Sequence, residues 1–384
     1  MPRFSHVSLA LLLTIPAIAA PRRHSVDHAT AVTAESIVTL ATRAADRVQL
    51  SFDPRLHWEN AVWLDGLVLF GEELNRRNAG SGDRFIDRAA SIILGSNDDI
   101  AHVYWGDGTA FVQAAMDLYR VLPAGDPRRE AILATATGPL SFAEHAIRGT
   151  PANAPPRDPW WIAGGYGTRY WQDDLYMVVP WLAMLGASAN NELARSLAHE
   201  WIEAYVSRLW DDTNALFQHH PEIAGTSDLF WGRGNGWALV GLLRAAETLD
   251  ANDVRDMLRR SAASLIARRT PDGGWGSFLA QPNECNVSET SGTALLTFFL
   301  ARGINDGLLD RATYEPVVLR AFGVLLQRVR ADGAVDGIQP PGIGPACVQI
   351  ASDDPKINVN YGAGAILLAA AEVLKFPDAT FVSK

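Results

Sequence analysis

Apolar residues along this chain recur at intervals of three and four far more often than at every second position, which predicts helices and few strands. Val254, Met257, Leu258, Leu265 and Ile266 fall on one helical face, and Arg255, Arg259 and Arg260 fill the rest. Val318, Phe322, Leu325 and Val329 repeat the pattern, with Pro316 near the helix start. Stretches rich in Gly and Pro separate such segments, as at Thr270-Pro271-Asp272-Gly273-Gly274. On this reading there are about twelve helices, spanning 30–49, 57–78, 84–95, 107–122, 127–147, 171–187, 190–209, 231–247, 252–268, 289–302, 312–329 and 359–375.

The even-numbered helices differ from the odd ones. They are rich in Gly, Ala and aromatics and nearly free of charge, as in Trp237-Ala238-Leu239-Val240-Gly241-Leu242-Leu243, whereas the odd ones carry Arg, Glu and Asp on one face. A helix apolar all round must be buried, and an amphipathic one covers it. Alternation of the two kinds therefore predicts an all-α, two-layered fold. Six helical hairpins closing into a ring make an (α/α)6 barrel; an open solenoid is the alternative. The hairpin period is roughly sixty residues, longer than ordinary solenoid repeats. No Pro- or Ser-rich linker interrupts it, so residues 21–384 are expected to form a single domain.

Residues 1–20 read as a secretory signal. Arg3 provides the positive start, Val7 to Ile15 the short apolar run and Ala17-Ile18-Ala19 the small-x-small cleavage site. The expected location is extracellular. Asn286-Val287-Ser288 is a glycosylation acceptor, in keeping with export. The chain has two cysteines, Cys285 and Cys347, too few for a metal cluster. In an oxidising compartment they can pair. Each precedes one of two successive buried helices, so a disulfide at that rim is expected; two unpaired thiols are the alternative. Net charge is −10 without a basic stripe, which argues against nucleic acid and anionic membranes as partners. No later segment has the apolar length of a membrane span. A monomer is expected.

The unusual polar and aromatic residues cluster at the starts of the even helices. They are Trp58 and Asn60; Asp107; Trp171-Gln172-Asp173-Asp174; Trp231-Gly232-Arg233-Gly234-Asn235-Gly236-Trp237; Glu289-Thr290-Ser291-Gly292; and Asn358 to Tyr361. In a ring of parallel inner helices these starts open on one end, where helix N-termini favour an anionic ligand. Asp173 is the candidate acid, and Asp174 beside it can raise its pKa. Both residues also suit a helix cap. Asp107, between glycines, is a second candidate carboxylate or a turn residue. Arg233 can grip a carboxylate with its planar fork, and Trp237 can stack on a sugar ring. The three glycines around Arg233 imply close backbone approach, either to a ligand or to a packed helix. His219 and His220 precede that stretch, and Glu289 can be a cap alone.

Trp171-Gln172-Asp173-Asp174-Leu175-Tyr176-Met177, Phe230-Trp231-Gly232-Arg233-Gly234-Asn235-Gly236-Trp237 and Glu289-Thr290-Ser291-Gly292 resemble segments of the unsaturated uronyl hydrolases of glycoside hydrolase families 105 and 88, family 105 more closely. The resemblance runs from about Trp58 to Tyr361. It implies release of a 4,5-unsaturated uronic acid from the non-reducing end of lyase-made oligosaccharides of the pectin or rhamnogalacturonan type. Members hydrate the vinyl-ether double bond and use neither metal nor organic cofactor. Carried over by position, Asp173 is the acid/base and Asp107 the second carboxylate, although Gly108-Thr109 departs from the family's usual surroundings there. His219, Arg233 and Trp237 match substrate-contacting positions, and Trp171 and Asp174 beside them are expected to bind substrate as well. Many family members are cytoplasmic, so the signal is a departure too. The rivals are an endo-α-mannanase similar to family 76, which works on a neutral sugar and gives Arg233 nothing to grip, and a non-catalytic sugar-binding barrel, which has no need of Asp173.

Overall fold

The computed structural model describes residues 31–51, 58–103, 106–148, 171–219, 230–280, 285, 287–341, 347–354 and 357–377. The signal at 1–20, His220 and Asn286 lie outside them. Fifteen helices and one small hairpin are described, in the order α1 (Ala34–Ser51), α2 (Trp58–Arg77), α3 (Asp83–Gly95), α4 (Asn97–Ala101), α5 (Gly106–Val121), α6 (Arg128–Thr137), α7 (Leu140–Arg148), α8 (Asp174–Met177), α9 (Val179–Ser188), α10 (Glu192–Leu209), β1 (Trp210–Asp211), β2 (Leu216–Phe217), α11 (Gly232–Ala245), α12 (Asn252–Ile266), α13 (Thr290–Asn305), α14 (Arg311–Leu326) and α15 (Asn360–Val373).

The inner ring is α2, α5, α8 with α9, α11, α13 and α15. Each packs on the next, and α15 packs on α2, so the ring closes and the open solenoid is ruled out. The charge-poor even helices are the inner ones, as expected; every residue of α11 and α15 is buried. The amphipathic helices α1, α3, α6, α10, α12 and α14 each cover an inner helix. Closure depends on two glycines. A Cβ on Gly66 of α2 would lie 2.7 Å from the Gly364 carbonyl oxygen, and one on Gly364 would lie 2.5 Å from the Val62 carbonyl oxygen.

Two expected helices are broken in two. The span 127–147 divides at Gly138-Pro139, where a Cβ on residue 138 would lie 2.0 Å from the Ala101 carbonyl oxygen. The span 171–187 divides at Val178, because Pro180 has no N–H to continue the helical ladder. The hairpin of β1 and β2, with Trp210 opposite Phe217, is an addition to the expected elements.

Buried charge ties the ring together. Arg244 of α11 donates to Asp65 of α2 at 2.7 Å and to Asp117 of α5, and Tyr176 of α8 donates to Asp65 at 2.6 Å. Burial pushes the Asp65 carboxyl well above its usual range despite Arg244. Burial acts on Asp117 too, but there Arg244 wins and holds it low. At the same end of the barrel, arginines satisfy the last carbonyls of inner helices. Arg77 donates to Leu374 O at 2.6 Å, Arg129 to Tyr119 O at 2.8 Å and Leu122 O at 2.7 Å, and Arg195 to Gly186 O at 2.9 Å. These cations also offset the negative helix termini. A cavity of about 230 Å³ there is lined by Arg120, Arg129, Arg244 and Arg302, each already held by a carboxylate or a backbone carbonyl.

Cys285 and Cys347 form the expected disulfide, with Cα atoms 5.4 Å apart across 62 residues of chain. Among the described residues no helix is long and apolar enough to cross a membrane.

Gly364→Val should force the α2–α15 seam apart and destabilise by about 1–3 kcal/mol or more, read as a lowered midpoint in thermal or denaturant unfolding. Gly95→Ala, where nothing lies within 4 Å of the added atom, should leave the midpoint unchanged or raise it slightly.

Candidate active site

The starts of the inner helices meet at the opposite end. Asp107 on α5 feels the charges of Asp173 before α8 and Glu59 on α2. Asp173 feels Arg233 on α11. Tyr361 on α15 feels Arg233, Glu289 before α13 and Glu59. One electrostatic neighbourhood therefore draws on all six inner helices. Asp173, Asp107, Arg233 and Asp174 belong to it directly. His219, Trp171 and Trp237 join it through a continuous chain of ring contacts. Trp171 lies 5.4 Å from His219, His219 4.7 Å from Trp231, and Trp231 4.6 Å from the Arg233 guanidinium. Arg233 lies 5.0 Å from Tyr361, Tyr361 4.8 Å from Trp58, Trp58 5.9 Å from Trp237, and Trp237 4.7 Å from Tyr176.

Local packing explains the unusual sequence around Arg233. A Cβ on Gly232 would meet the Gly276 carbonyl oxygen at 2.2 Å, one on Gly234 the Gln172 Oε1 at 1.8 Å, and one on Gly236 the Leu295 Cβ at 2.7 Å. The glycines thus serve packing against the neighbouring segments rather than ligand approach. Asn235 is a side-chain substitute for a strand. Its Oδ1 accepts the Phe217 N–H at 2.8 Å and its Nδ2 donates to the Phe217 carbonyl at 3.0 Å. Gln172 donates to the same carbonyl. These bonds fasten the hairpin to the helix starts and so place His219, two residues beyond Phe217, between Trp171 and Trp231.

Arg233 is buried among acceptors. Its Nη1 donates to Gln339 O at 2.6 Å and to the Tyr361 hydroxyl at 3.3 Å, and its Nη2 to Pro340 O at 3.2 Å. Its Nε has no hydrogen-bond partner among the described residues. Glu289 is the cap of α13, accepting the N–H groups of Ser291 at 3.0 Å and Gly292 at 2.6 Å. It also accepts the Gln339 N–H at 2.9 Å, which a cap alone would not need.

The two candidate carboxylates are half-buried and strongly shifted. Burial pushes Asp173 up to about 6, even though Arg233 pulls the other way. Burial, with the charges of Asp173 and Glu59 adding, pushes Asp107 up to about 7. Asp173 stands at the N-cap position of α8 but makes no side-chain cap bond. Its Oδ2 has no hydrogen-bond partner among the described residues, so it is free for proton transfer. A carboxyl poised near neutrality with an uncommitted oxygen suits general acid–base work.

Two sequence expectations need correction. Asp174 was expected to bind substrate, but it is 1% exposed and accepts a hydrogen bond from Tyr205 of outer helix α10. Successive helical residues point about 100° apart, so with Asp173 toward the site its neighbour turns to the outer layer. Trp237 was expected to stack on a sugar ring, but it is fully buried, with Tyr176 and Trp58 packed on it. Trp58 and Trp171 are the half-buried aromatics of the site. Glu59, Gln339 and Tyr205 were not singled out from sequence. Glu59 adjoins Trp58 at a helix start, which was a usable signal; Gln339 and Tyr205 carry none. Among the described residues no three His, Cys, Asp or Glu side chains gather as a metal site.

The model of Glycosyl Hydrolase Family 88, one of the two families of the sequence resemblance, matches residues 32–377. An unsaturated 3S-rhamnoglycuronyl hydrolase of Formosa agariphila is 32% identical over 54% of this chain and 58% of its own length. One of the same name from Alteromonas sp. is 30% identical over 53% of this chain and 51% of its own. The chain thus spans about half the length of the curated relatives it matches. A family 88 glycosyl hydrolase structure from Bacteroides vulgatus superposes with a TM-score of 0.67 at 26% identity, covering 89% of this chain and 99% of the other. The family model covers nearly the whole of the described barrel, and the chain belongs to glycosyl hydrolase family 88.

Proposed function

We propose that this protein releases 4,5-unsaturated uronic acid from the non-reducing end of lyase-generated oligosaccharides, acting outside the cell as a monomer. The observation that carries the reading is Asp173: a carboxyl held near pH 6 with an oxygen uncommitted among the described residues, beside an arginine whose Nε has no partner among them. The acid faces an electron-rich double bond and the cation faces the uronate. Asp173 donates its proton to C4, and a water oxygen then bonds to C5 as the Asp173 carboxylate so formed takes the water's proton, while Asp107, which holds its own proton up to about pH 7, helps to bind and polarise the ring. The resulting hemiketal opens to a C5 ketone, and C1 then releases the remaining sugar as its free alcohol. Two curated relatives are named unsaturated 3S-rhamnoglycuronyl hydrolases, and we carry a rhamnose-linked substrate over from that name as part of the proposal. The disulfide supports an oxidising compartment.

Incubation with lyase digests of rhamnose-containing uronans tests the reading. Disappearance of the ultraviolet absorbance of the double bond is expected. No loss with any lyase product, together with measurable sugar binding, would favour the non-catalytic barrel; hydrolysis of intact mannan would favour the mannanase. The buried Arg233 speaks against both a neutral substrate and mannan.

Asp173→Asn should lower turnover by roughly 10²-fold or more with the unfolding midpoint preserved. Asp174→Asn should instead act mainly on stability, through the lost Tyr205 bond. Near-normal turnover in the first variant would remove Asp173 from the mechanism.

Because both carboxyls are raised, to about 6 and about 7, the acid form is present below that window and disappears as pH rises through it. Activity should accordingly fall on the alkaline side between about pH 6 and 7, and a rate constant indifferent to pH across this window would contradict the acid role.

A further inference from the structure

We propose that Gln339, locked in place by Glu289 and by the Cys285–Cys347 disulfide, is a positioning residue that orients Arg233 and Trp231 toward the anionic end of the substrate. The proposal rests on the uronyl reading of the site and adds a determinant of affinity to it.

Gln339 is fully buried and bonds to a different partner on each of its groups. Its N–H goes to Glu289 Oε1 at 2.9 Å. Its carbonyl accepts Arg233 Nη1 at 2.6 Å and also the Tyr361 hydroxyl. Its side-chain Oε1 accepts the Trp231 indole N–H at 2.7 Å. With Pro340 O on Nη2 at 3.2 Å, both terminal nitrogens of the guanidinium are committed to one short loop segment. Trp231 and Tyr361 lie against the cation, so it is held in a single plane. A planar fork fixed in this way presents Nε in one direction only. A buried donor left without a partner is unfavourable unless a ligand supplies the acceptor.

Nothing on α11 itself holds Arg233 in this pose; the holding groups lie more than a hundred residues later, at a sequence separation of 106 for Gln339. The segment owes its position to three ties. Gly337 O accepts the Thr290 N–H at 2.9 Å. Ile338 and Ile350 exchange backbone bonds at 2.9 and 2.7 Å. Cys347, three residues before Ile350, is joined covalently to Cys285 ahead of α13. Opening the disulfide leaves the ladder next to Gln339 without its covalent anchor.

The same change reaches the acid. The charged groups that interact with Asp173 are Asp107, Asp174 and Arg233. Arg233 is the permanent cation among them, and it lowers Asp173 against the effect of burial. A guanidinium that wanders from its pose allows the Asp173 carboxyl to rise.

The chain has two cysteines, so a thiol reductant acts at this one bond. Turnover of an unsaturated oligosaccharide is measured with and without dithiothreitol, for the wild type and for Cys285→Ser/Cys347→Ser. Circular dichroism confirms that each remains folded. Reduction of the wild type should raise KM about tenfold with a smaller change in kcat, and move the alkaline limb of the pH profile upward. The double serine variant should show the raised KM in either condition. Gln339→Met, which keeps volume but removes the acceptor for Trp231, should shift KM in the same direction. A lowered unfolding midpoint with unchanged KM and pH limb would make the disulfide and Gln339 merely structural and overturn the proposal. Calorimetric binding of galacturonate, which has the carboxylate but no double bond, separates this result from failure of the uronyl reading. Weaker binding on reduction upholds the positioning role even without turnover, and binding indifferent to reduction overturns it.

Discussion

The contact on which the molecule depends is the one that closes the ring, where α15 lies on α2 with Gly364 and Gly66 facing each other's backbones. A set of helices that are apolar all round has no solvent face, so it must form the inside of something. Closure lets all six be inside at once, with the amphipathic helices as cover. It also makes the inner helices parallel, and parallel helices put all their starts at one end. The site is thus a geometric consequence of closure, assembled from six places in the chain that share nothing but their position in a hairpin. The two ends then differ electrostatically. Arginines meet the terminal carbonyls at one end; helix N-termini and half-buried carboxylates occupy the other.

Carboxylates inside the barrel are treated in two ways. Asp65 and Asp117 share Arg244 by direct contact, and Tyr176 and Gln113 complete the cluster. A buried ion group of this kind adds little net stability, because desolvation offsets the attraction. What it does is tie α2, α5, α8 and α11 together across the barrel. Tyr176 links this cluster to the site, since its ring packs on Trp237 and it follows Asp173 by three residues. Among the described residues, Asp107 and Asp173 receive no such direct contact from a cation. Arg233 acts on Asp173 through space, its terminal nitrogens being turned to Gln339, Pro340 and Tyr361. Burial therefore wins, and these two carboxyls remain able to hold a proton near neutral pH.

Much of this was legible in the sequence, and what was missed has a physical pattern. Alternation of charge-free and amphipathic segments showed the layers, the ring and the shared end, because each depends on the composition of one helix at a time. One helix break was missed because its cause is a neighbour: Gly138 gives way to Ala101 O, and no local signal reveals that contact, whereas the break at Val178 follows from Pro180 in the sequence itself. The same holds for the glycines around Arg233. Their number announced a close approach, but only the fold shows that Gly276, Gln172 and Leu295 are what approach. Asp173 and Asp174 were inseparable as letters, since both suit a helix start. Their roles separate once Tyr205 on the outer layer takes one of them. Gln339 was invisible because a glutamine in an irregular loop has no periodicity to place it, and its partners come from three helix starts.

These observations give the arginine a different status from the two carboxyls. Asp173 and Asp107 need only to be half-buried at adjacent helix starts to acquire their shifted pKa values, so the inner ring alone is enough for the acid. A guanidinium buried at 2% exposure needs more, because each of its donors must be satisfied or reserved. The ring provides flat faces in Trp231 and Tyr361 and a single acceptor in the Tyr361 hydroxyl, but no carbonyls, since those of the inner helices are already engaged in their own ladders. The acceptors come from irregular backbone at 339–340, which can face inward because its hydrogen-bonding groups meet Glu289, Tyr361 and Arg233. The covalent link and the long loop before α15 thus belong to the chemistry of anion recognition. A helical barrel can make an acid from its helix starts alone, but to bury a cation beside that acid it must bring in a piece of chain that is not helical.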